Sequence, residues 1–490
     1  MELYDLTNPQ KSIWVMEQFY KGTAVNNICG TVLIHEPVNF SKLYEAICTF
    51  VKSNNSFRIK LCFNEQNEIS QYFDDNFEID TNVKILSNDI ELHTLEKELV
   101  SVPFQLLNSQ LFKFQLFKFS NNHGGFVLNT HHLISDACTA SLVANQIISV
   151  YSSLQKEETP EDITHSYLDY INSEKEYINS DKFIKDKTYW NDLFNVMPDM
   201  ATLSSNSSTD ITHNCAAKRA NYKIDNNLLN KINDYCKEYK ISIFNFFMAV
   251  YSIYIGKIQN LNNFVIGTPI LNRTTFKEKN TPGMFISTVP FKIDLTTDLT
   301  FKDFVANIAL QTLGMFRHQK YPYQSLLADI RTNNNSIPNL YNIMISYQNT
   351  KTNRNSSDIN YDVRWIHSDF TSDELDVHLF DMNDTGELNI SYDYQTERYS
   401  DEDIHDIHQR ILFIINQILS NNDISISSLE LVLPEEKTYM LKAYNTSKYT
   451  NINKTIIDLF LEQCQIHPDS IAISDKTTSL TYGQLNALSD

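Results

Sequence analysis

Between residues 125 and 154 the chain passes from one periodicity to another with only a short break between them. Gly125-Phe-Val-Leu-Asn-Thr130 is a strand-like run, and from Thr139 the apolar residues Leu142, Val143, Ile147, Val150 and Leu154 recur near helical spacing. Ser135 or Asp136 makes a good N-cap for that helix. The histidines between the two patterns, His131 and His132, therefore sit on a strand-to-helix connection. Alternation of this kind returns later. Helical patterns cover 227–239, 242–258, 301–319 and 401–419, and strand-like runs cover 264–268, 287–293, 341–347, 375–380 and 388–394. Strands interleaved with helices at irregular spacing predict an α/β fold in layers and leave its topology open.

A chain of 490 residues, 42% hydrophobic and 20% charged, is globular and has volume for more than one core. Its ten glycines include no GxGxxG or P-loop arrangement, so no dinucleotide or phosphate-loop fingerprint is present. A net charge of −20 without a basic stripe argues against nucleic acid as partner. The apolar runs 246–255 and 411–415 fall well short of the roughly 20 residues a membrane span needs. The amino terminus lacks the basic and apolar regions of a signal peptide. Seven cysteines, an odd number with no CxxC pair, fit reduced thiols. The expectation is a soluble cytoplasmic protein with no membrane partner.

Polar, loop-like runs are expected at 204–208, within 203–210, and at 333–335, with a turn at 156–161. Leu433-Pro-Glu-Glu closes one packed unit, and 434–454 is expected to be a linker, most polar over 445–454. Residues 455–465 read as a helix, and 471–485 as two short strands and the start of another helix. Some 36 residues cannot make a core alone, so 455–490 is expected to open a further domain.

His131, His132 and Asp136 are the most chemically loaded cluster. Adjacent side chains on an extended segment point to opposite faces, so one histidine at most faces a given cavity. That argues against both binding one metal. On the residues alone, two satisfied loop histidines, a general base or substrate-positioning histidine and, least favoured, a metal site all stay open.

The run His131-His132-Leu-Ile-Ser135-Asp136-Ala137 resembles the HHxxxDG motif of nonribosomal peptide synthetase condensation domains, of the chloramphenicol-acetyltransferase-like superfamily. Other segments follow in that family's order. Leu6-Thr-Asn-Pro-Gln10-Lys-Ser-Ile-Trp14, with Glu17-Gln-Phe-Tyr, resembles its opening motif, and Tyr167-Leu-Asp169-Tyr170 its tyrosine-x-aspartate motif. Gly267-Thr-Pro-Ile-Leu-Asn272-Arg273, then Pro282-Gly283-Met-Phe-Ile-Ser287-Thr288, is similar to GTPxxNR and GMFVNT-type segments. His318-Gln319-Lys-Tyr321-Pro322-Tyr323 resembles HQxYPF. The similarity spans roughly residues 3–433, and Leu480-Thr-Tyr-Gly-Gln-Leu485-Asn486 is like the first element of an adenylation domain.

The resemblance implies two acetyltransferase-like lobes, 1–170 and 171–433, in a V with a tunnel between them. It implies an acyltransferase that forms an amide when a carrier-bound aminoacyl amine attacks a carrier- or CoA-bound acyl thioester. Donor and acceptor carrier proteins would be the partners, with an adenylation domain on the same polypeptide. No cofactor would be held covalently; the carriers' phosphopantetheine arms bring the substrates. His132 would be catalytic, as base or positioning group. His131 and Asp136 would be structural, Asp136 paired with Arg273 or, second, with Arg58. Ser287 could orient the tunnel or donate to an oxyanion, and a plain strand serine is the alternative. Gln10, Trp14 and Tyr167 would pack or bridge the lobes, and His318 and Tyr321 would cap and fill.

Three departures stand out. Ala137 replaces the motif's glycine and constrains any positive-φ backbone there. Ser287 stands in place of asparagine, and 53–58 keeps only the second arginine of RHExLRTxF, Arg58. With no carrier segment ahead of Leu6, the expectation leans to a chain-initiating domain over an elongating one fed in trans. A catalytically impaired module that recruits carrier or tailoring proteins is the rival reading, and epimerisation on the same fold is a third.

Overall fold

The computed structural model describes residues 2–120, 122–160, 166–204, 215–332, 339–349, 358–381, 386–444, 453–475 and 477–489. Met1–Leu431 is one unit and Val432–Asp490 a second. Each of the two lobes in the first unit is organised around a sheet whose period-2 alternation sorts its side chains.

In the first lobe five strands run in the order Tyr361–Ile366, Asn27–Ile34, Gly124–His131, Phe112–Phe119 and Val83–Leu86. All neighbours are antiparallel except the last pair. Phe126 and Leu128 face a core that includes residues of the helices Phe40–Ser53 and Ala137–Gln155. Val127, between them, packs on the other face with Leu92, Leu95 and Leu99 of Asp89–Val100. Burial on both faces explains why Gly124–His131 is buried at every position.

The second lobe holds six strands, in the order Ser287–Asp294, Asn263–Ile270, Ile343–Gln348, Leu375–Phe380, Asn389–Gln395 and Ala217–Lys223. Its core joins Val377, Leu379, Ile390 and Tyr392 to the helices Asn226–Tyr239, Ile243–Gln259, Phe301–Arg317 and Asp401–Ser420. Residues of opposite parity carry a polar network. His378 Nδ1 lies 2.7 Å from the Ser346 hydroxyl and its Nε2 3.1 Å from Asp393, which Arg219 grips through Nε and Nη2 at 2.6 Å each. Among the described residues no single helix is long and apolar enough to cross a membrane.

The predicted elements stand close to their expected bounds. Three expectations change. Tyr361–Ile366 lies within 171–433, yet it completes the first lobe's sheet, pairing from Tyr361↔Ile34 to Ile366↔Cys29. A boundary at residue 170 therefore does not hold for this strand, because register chooses an edge regardless of chain position. The linker begins as the helix Pro434–Tyr444, with Glu435 and Glu436 in its first turn and Lys442 in its last, charges that suit the helix dipole. Ala137 opens its helix and is absent from the positive-φ positions, so its methyl meets no backbone strain. Residues 333–335, 161, 205–210 and 445–452 of the expected loops, turn and linker lie outside the described residues.

The second unit contains the helix Ile456–Ile466, the hairpin Ile471–Ser474 with Ser479–Thr481, and the helix Tyr482–Ser489. Thr455 and Asp458 close a capping box on the first helix, and neither helix buries a residue.

Candidate active site

His131 ends its strand and is 2% exposed, whereas His132 is half-buried. The Leu133 amide donates to His131 Nδ1 at 3.1 Å, so that nitrogen carries the lone pair. Nε2–H is then the donor to Glu17 Oε1, 3.1 Å away. Both ring nitrogens of His131 are thus committed to the interior.

His132 turns the other way and meets the second lobe. Its Nδ1 lies 3.3 Å from Met284 Sδ. A thioether can only accept, so this contact favours the Nδ1–H tautomer and leaves the lone pair on Nε2. Burial pushes the imidazole pKa below its usual value, against the raising effect of the Asp136 charge, and His131 lowers it further. The ring is therefore neutral near pH 7, the form that accepts a proton or a hydrogen bond.

Asp136 caps Ala137–Gln155 and is fully buried. Its Oδ1 accepts the Thr139 amide at 2.9 Å; its Oδ2 accepts Arg273 Nη1 at 2.6 Å and the Phe285 amide at 3.0 Å. Burial alone would raise this carboxyl; the Arg273 charge and these hydrogen bonds overcome it and hold the pKa below the usual carboxylate value. Arg273 also donates to the Glu278 carbonyl at 3.1 Å and the Gly283 carbonyl at 3.2 Å, with its guanidinium 4.1 Å from the Phe285 ring centre. The Thr139 hydroxyl lies 2.8 Å from the Gly283 carbonyl and accepts the Gly283 amide at 3.0 Å. One acid thus fastens the start of a first-lobe helix to 273–285 of the second lobe. Gly283, at φ 151°, is irreplaceable on two counts: a side chain is disfavoured there, and a Cβ would collide with the Tyr167 ring.

Of the other expected residues, Tyr167 does bridge the lobes, donating to the Met284 carbonyl at 2.7 Å. Gln10 braces the histidine loop by donating to the Leu133 carbonyl at 2.9 Å. Trp14 packs edge-on against Phe63. His318 bonds Asp186 at 2.6 Å and stacks on Tyr189, and Tyr321 donates to Asp329 at 2.7 Å. Arg58 pairs with Asp75, which leaves Arg273 as the partner of Asp136. Ser287 heads a strand on the same parity as core residues Val289 and Phe291. Among the described residues no hydrogen bond joins it to His132. Sequence reasoning missed Glu17, Asn26, Thr139 and Met284. Glu17 and Met284 stood inside family-like motifs, but nothing local reveals partners more than a hundred residues away.

Comparison with known proteins places this geometry. A family model described as "Condensation domain" matches residues 1–441. Surfactin synthase subunit 1 of Bacillus subtilis (strain 168) is 31% identical over 491 residues, which is 99% of this chain and 14% of that protein. Gramicidin S synthase 2 of Brevibacillus brevis is 25% identical over 494 residues, 99% of this chain and 11% of that one. The chain thus spans less than a fifth of the length of these curated relatives. Among solved structures, a mutant starter condensation domain of rhizomide synthetase in complex with C8-CoA aligns at TM-score 0.76 with 18% identity, covering 87% of this chain and 97% of that one. The first condensation domain of the calcium-dependent antibiotic synthetase, bound to a substrate analogue, aligns at 0.75 with 14% identity over 88% and 99%. These likenesses establish the fold, two chloramphenicol-acetyltransferase-like lobes of mixed α/β structure. Together with the family match, the paired histidines and their acid–arginine brace identify the chain as a member of the condensation domain family, the amide-forming acyltransferases of nonribosomal peptide synthetases.

Proposed function

We propose that His132 serves the attack of a carrier-bound aminoacyl amine on an acyl thioester, in a tunnel between the lobes. The C–N bond forms, the C–S bond breaks, and the amine's proton ends on the released thiol. The observation that carries this reading is the half-buried His132 ring at the lobe junction, with Nδ1 3.3 Å from Met284 Sδ, a contact that leaves Nε2 as the accepting nitrogen. That nitrogen accepts the amine's proton or holds the amine by a hydrogen bond as the tetrahedral intermediate forms. Holding the reactants at ~3 Å contributes several kcal/mol, which suits a thioester that is already activated.

The donor and acceptor arrive on phosphopantetheine arms of carrier proteins in this reading, and the chain works in the cytoplasm. A chain-initiating step with an acyl-CoA or acyl-carrier donor is favoured by likeness to a starter domain in complex with C8-CoA. Residues 455–490 are read as the start of an adenylation domain. The unburied helix Ile456–Ile466 supports this, since an apolar face of that kind needs further chain to cover it. His132→Ala is expected to abolish product from loaded carriers with the melting temperature unchanged. Near-normal turnover would dismiss the assignment.

A further inference from the structure

Resting on that reading of His132, we infer that Glu17 is a positioning residue that sets the histidine's backbone from both sides. Glu17 is 8% exposed, and its hydrogen bonds go to the neighbours of the His132 ring and not to the ring itself. Its Oε1 accepts two of them, from Asn26 Nδ2 at 2.6 Å and from His131 Nε2 at 3.1 Å. Each donor in turn controls one amide of the loop. The main-chain carbonyl of Asn26, the residue whose side chain Glu17 holds, accepts the His132 amide at 2.8 Å, and His131 Nδ1 accepts the Leu133 amide at 3.1 Å.

Two consecutive amides are thus fastened through two arms that converge on one oxygen. Asn26 and His131 are each 2% exposed, so water does not substitute for either arm. The carboxylate also fixes the His131 tautomer, because Nδ1 can accept from Leu133 only while the proton stays on Nε2. Removing Glu17 leaves Asn26 without its acceptor and lets the His131 proton choose the other nitrogen, which would expel the Leu133 amide. The His132 ring, whose own amide ends one arm and whose neighbour's amide ends the other, then loses its aim. A displacement of about 1 Å in such a group costs on the order of 100-fold in rate.

The test compares Glu17→Ala, Glu17→Gln and His132→Ala in the full chain, with octanoyl-CoA as donor and a leucyl N-acetylcysteamine thioester as acceptor. Glu17→Ala is expected to lower kcat at least tenfold with KM within twofold, well below its melting temperature. Glu17→Gln keeps an acceptor oxygen and should stay within threefold of wild type. Equal losses in both variants would overturn the geometric role, and so would a normal Glu17→Ala alongside an inactive His132→Ala. An active His132→Ala would instead overturn the reading beneath it. Should Glu17→Ala fail to fold, Asn26→Leu breaks the first arm, and a kcat within twofold of wild type would sink the inference. Hydrogen exchange decides without substrate. Peptides containing His132 and Leu133 should exchange at least tenfold faster in Glu17→Ala, with the rest of the chain unchanged; unaltered protection would refute it.

Discussion

Asp136 and the pair Asp373 and Asp376 are carboxyls in the same unit that meet burial in opposite ways. Asp136 has a cation and backbone amides, and its pKa is held low. Asp376 is 6% exposed and accepts the Thr371 hydroxyl at 2.6 Å, but the charge that acts on it most strongly is that of another acid, Asp373. Burial and mutual repulsion push Asp376 well above the ordinary carboxylate pKa, and burial raises Asp373 to about 7. Burial sets the size of the problem, and the partner sets the sign of the answer. An acid with an arginine becomes a fixed charge that ties two lobes together. Buried acids side by side hold their protons to higher pH.

The sharpest way to break this contrast is to remove the cation. Arg273→Ala leaves the Asp136 charge uncompensated and is expected to cost about 3–5 kcal/mol, read from urea unfolding. A loss under about 1 kcal/mol would make the brace a passive contact. Thr139→Val removes the hydroxyl that lies between Asp136 and the Gly283 backbone, and about 1–3 kcal/mol should go in the same assay. The smallest effect has the opposite direction. Asp376→Asn keeps an acceptor for Thr371 and removes the like-charge conflict, so the melting temperature at pH 8 should rise by about 2 °C, with no change below pH 4.

The pH dependence follows from the two signs. A depressed carboxyl contributes stability that is full above the unfolded pKa of about 4 and is lost as the solution falls below it. A raised one costs nothing below about pH 4 and progressively more as pH climbs toward its folded value. Wild-type stability should therefore decline from about pH 4 to 7 through Asp373 and Asp376, and this decline should flatten in Asp376→Asn. A decline of equal slope in that variant would place its origin elsewhere.

Much of this was legible in the amino-acid order, and the limits are physical. Asp136 as N-cap, the helix after it and the opposed faces of the two histidines follow from local geometry that a few residues determine. Arg273 as partner came from resemblance, since 137 residues separate it from Asp136. Glu17 lay in plain view within a motif but had no readable role until Asn26 and His131 were brought beside it. The strand Tyr361–Ile366 was missed although Tyr-Asp-Val-Arg-Trp alternates apolar and polar residues as a strand does; what no local pattern could give is its place, on a sheet edge completed far earlier in the chain.

That borrowed strand limits how the two halves can move. Because the second lobe lends a strand to the first, a single backbone cut between them would not set either loose; six consecutive residue pairs would still have to unzip. Relative motion of the two lobes is then a matter of hinging and twisting about a stitched seam, and a crosslink between those two paired strands should restrict it far less than one that joins the lobes elsewhere.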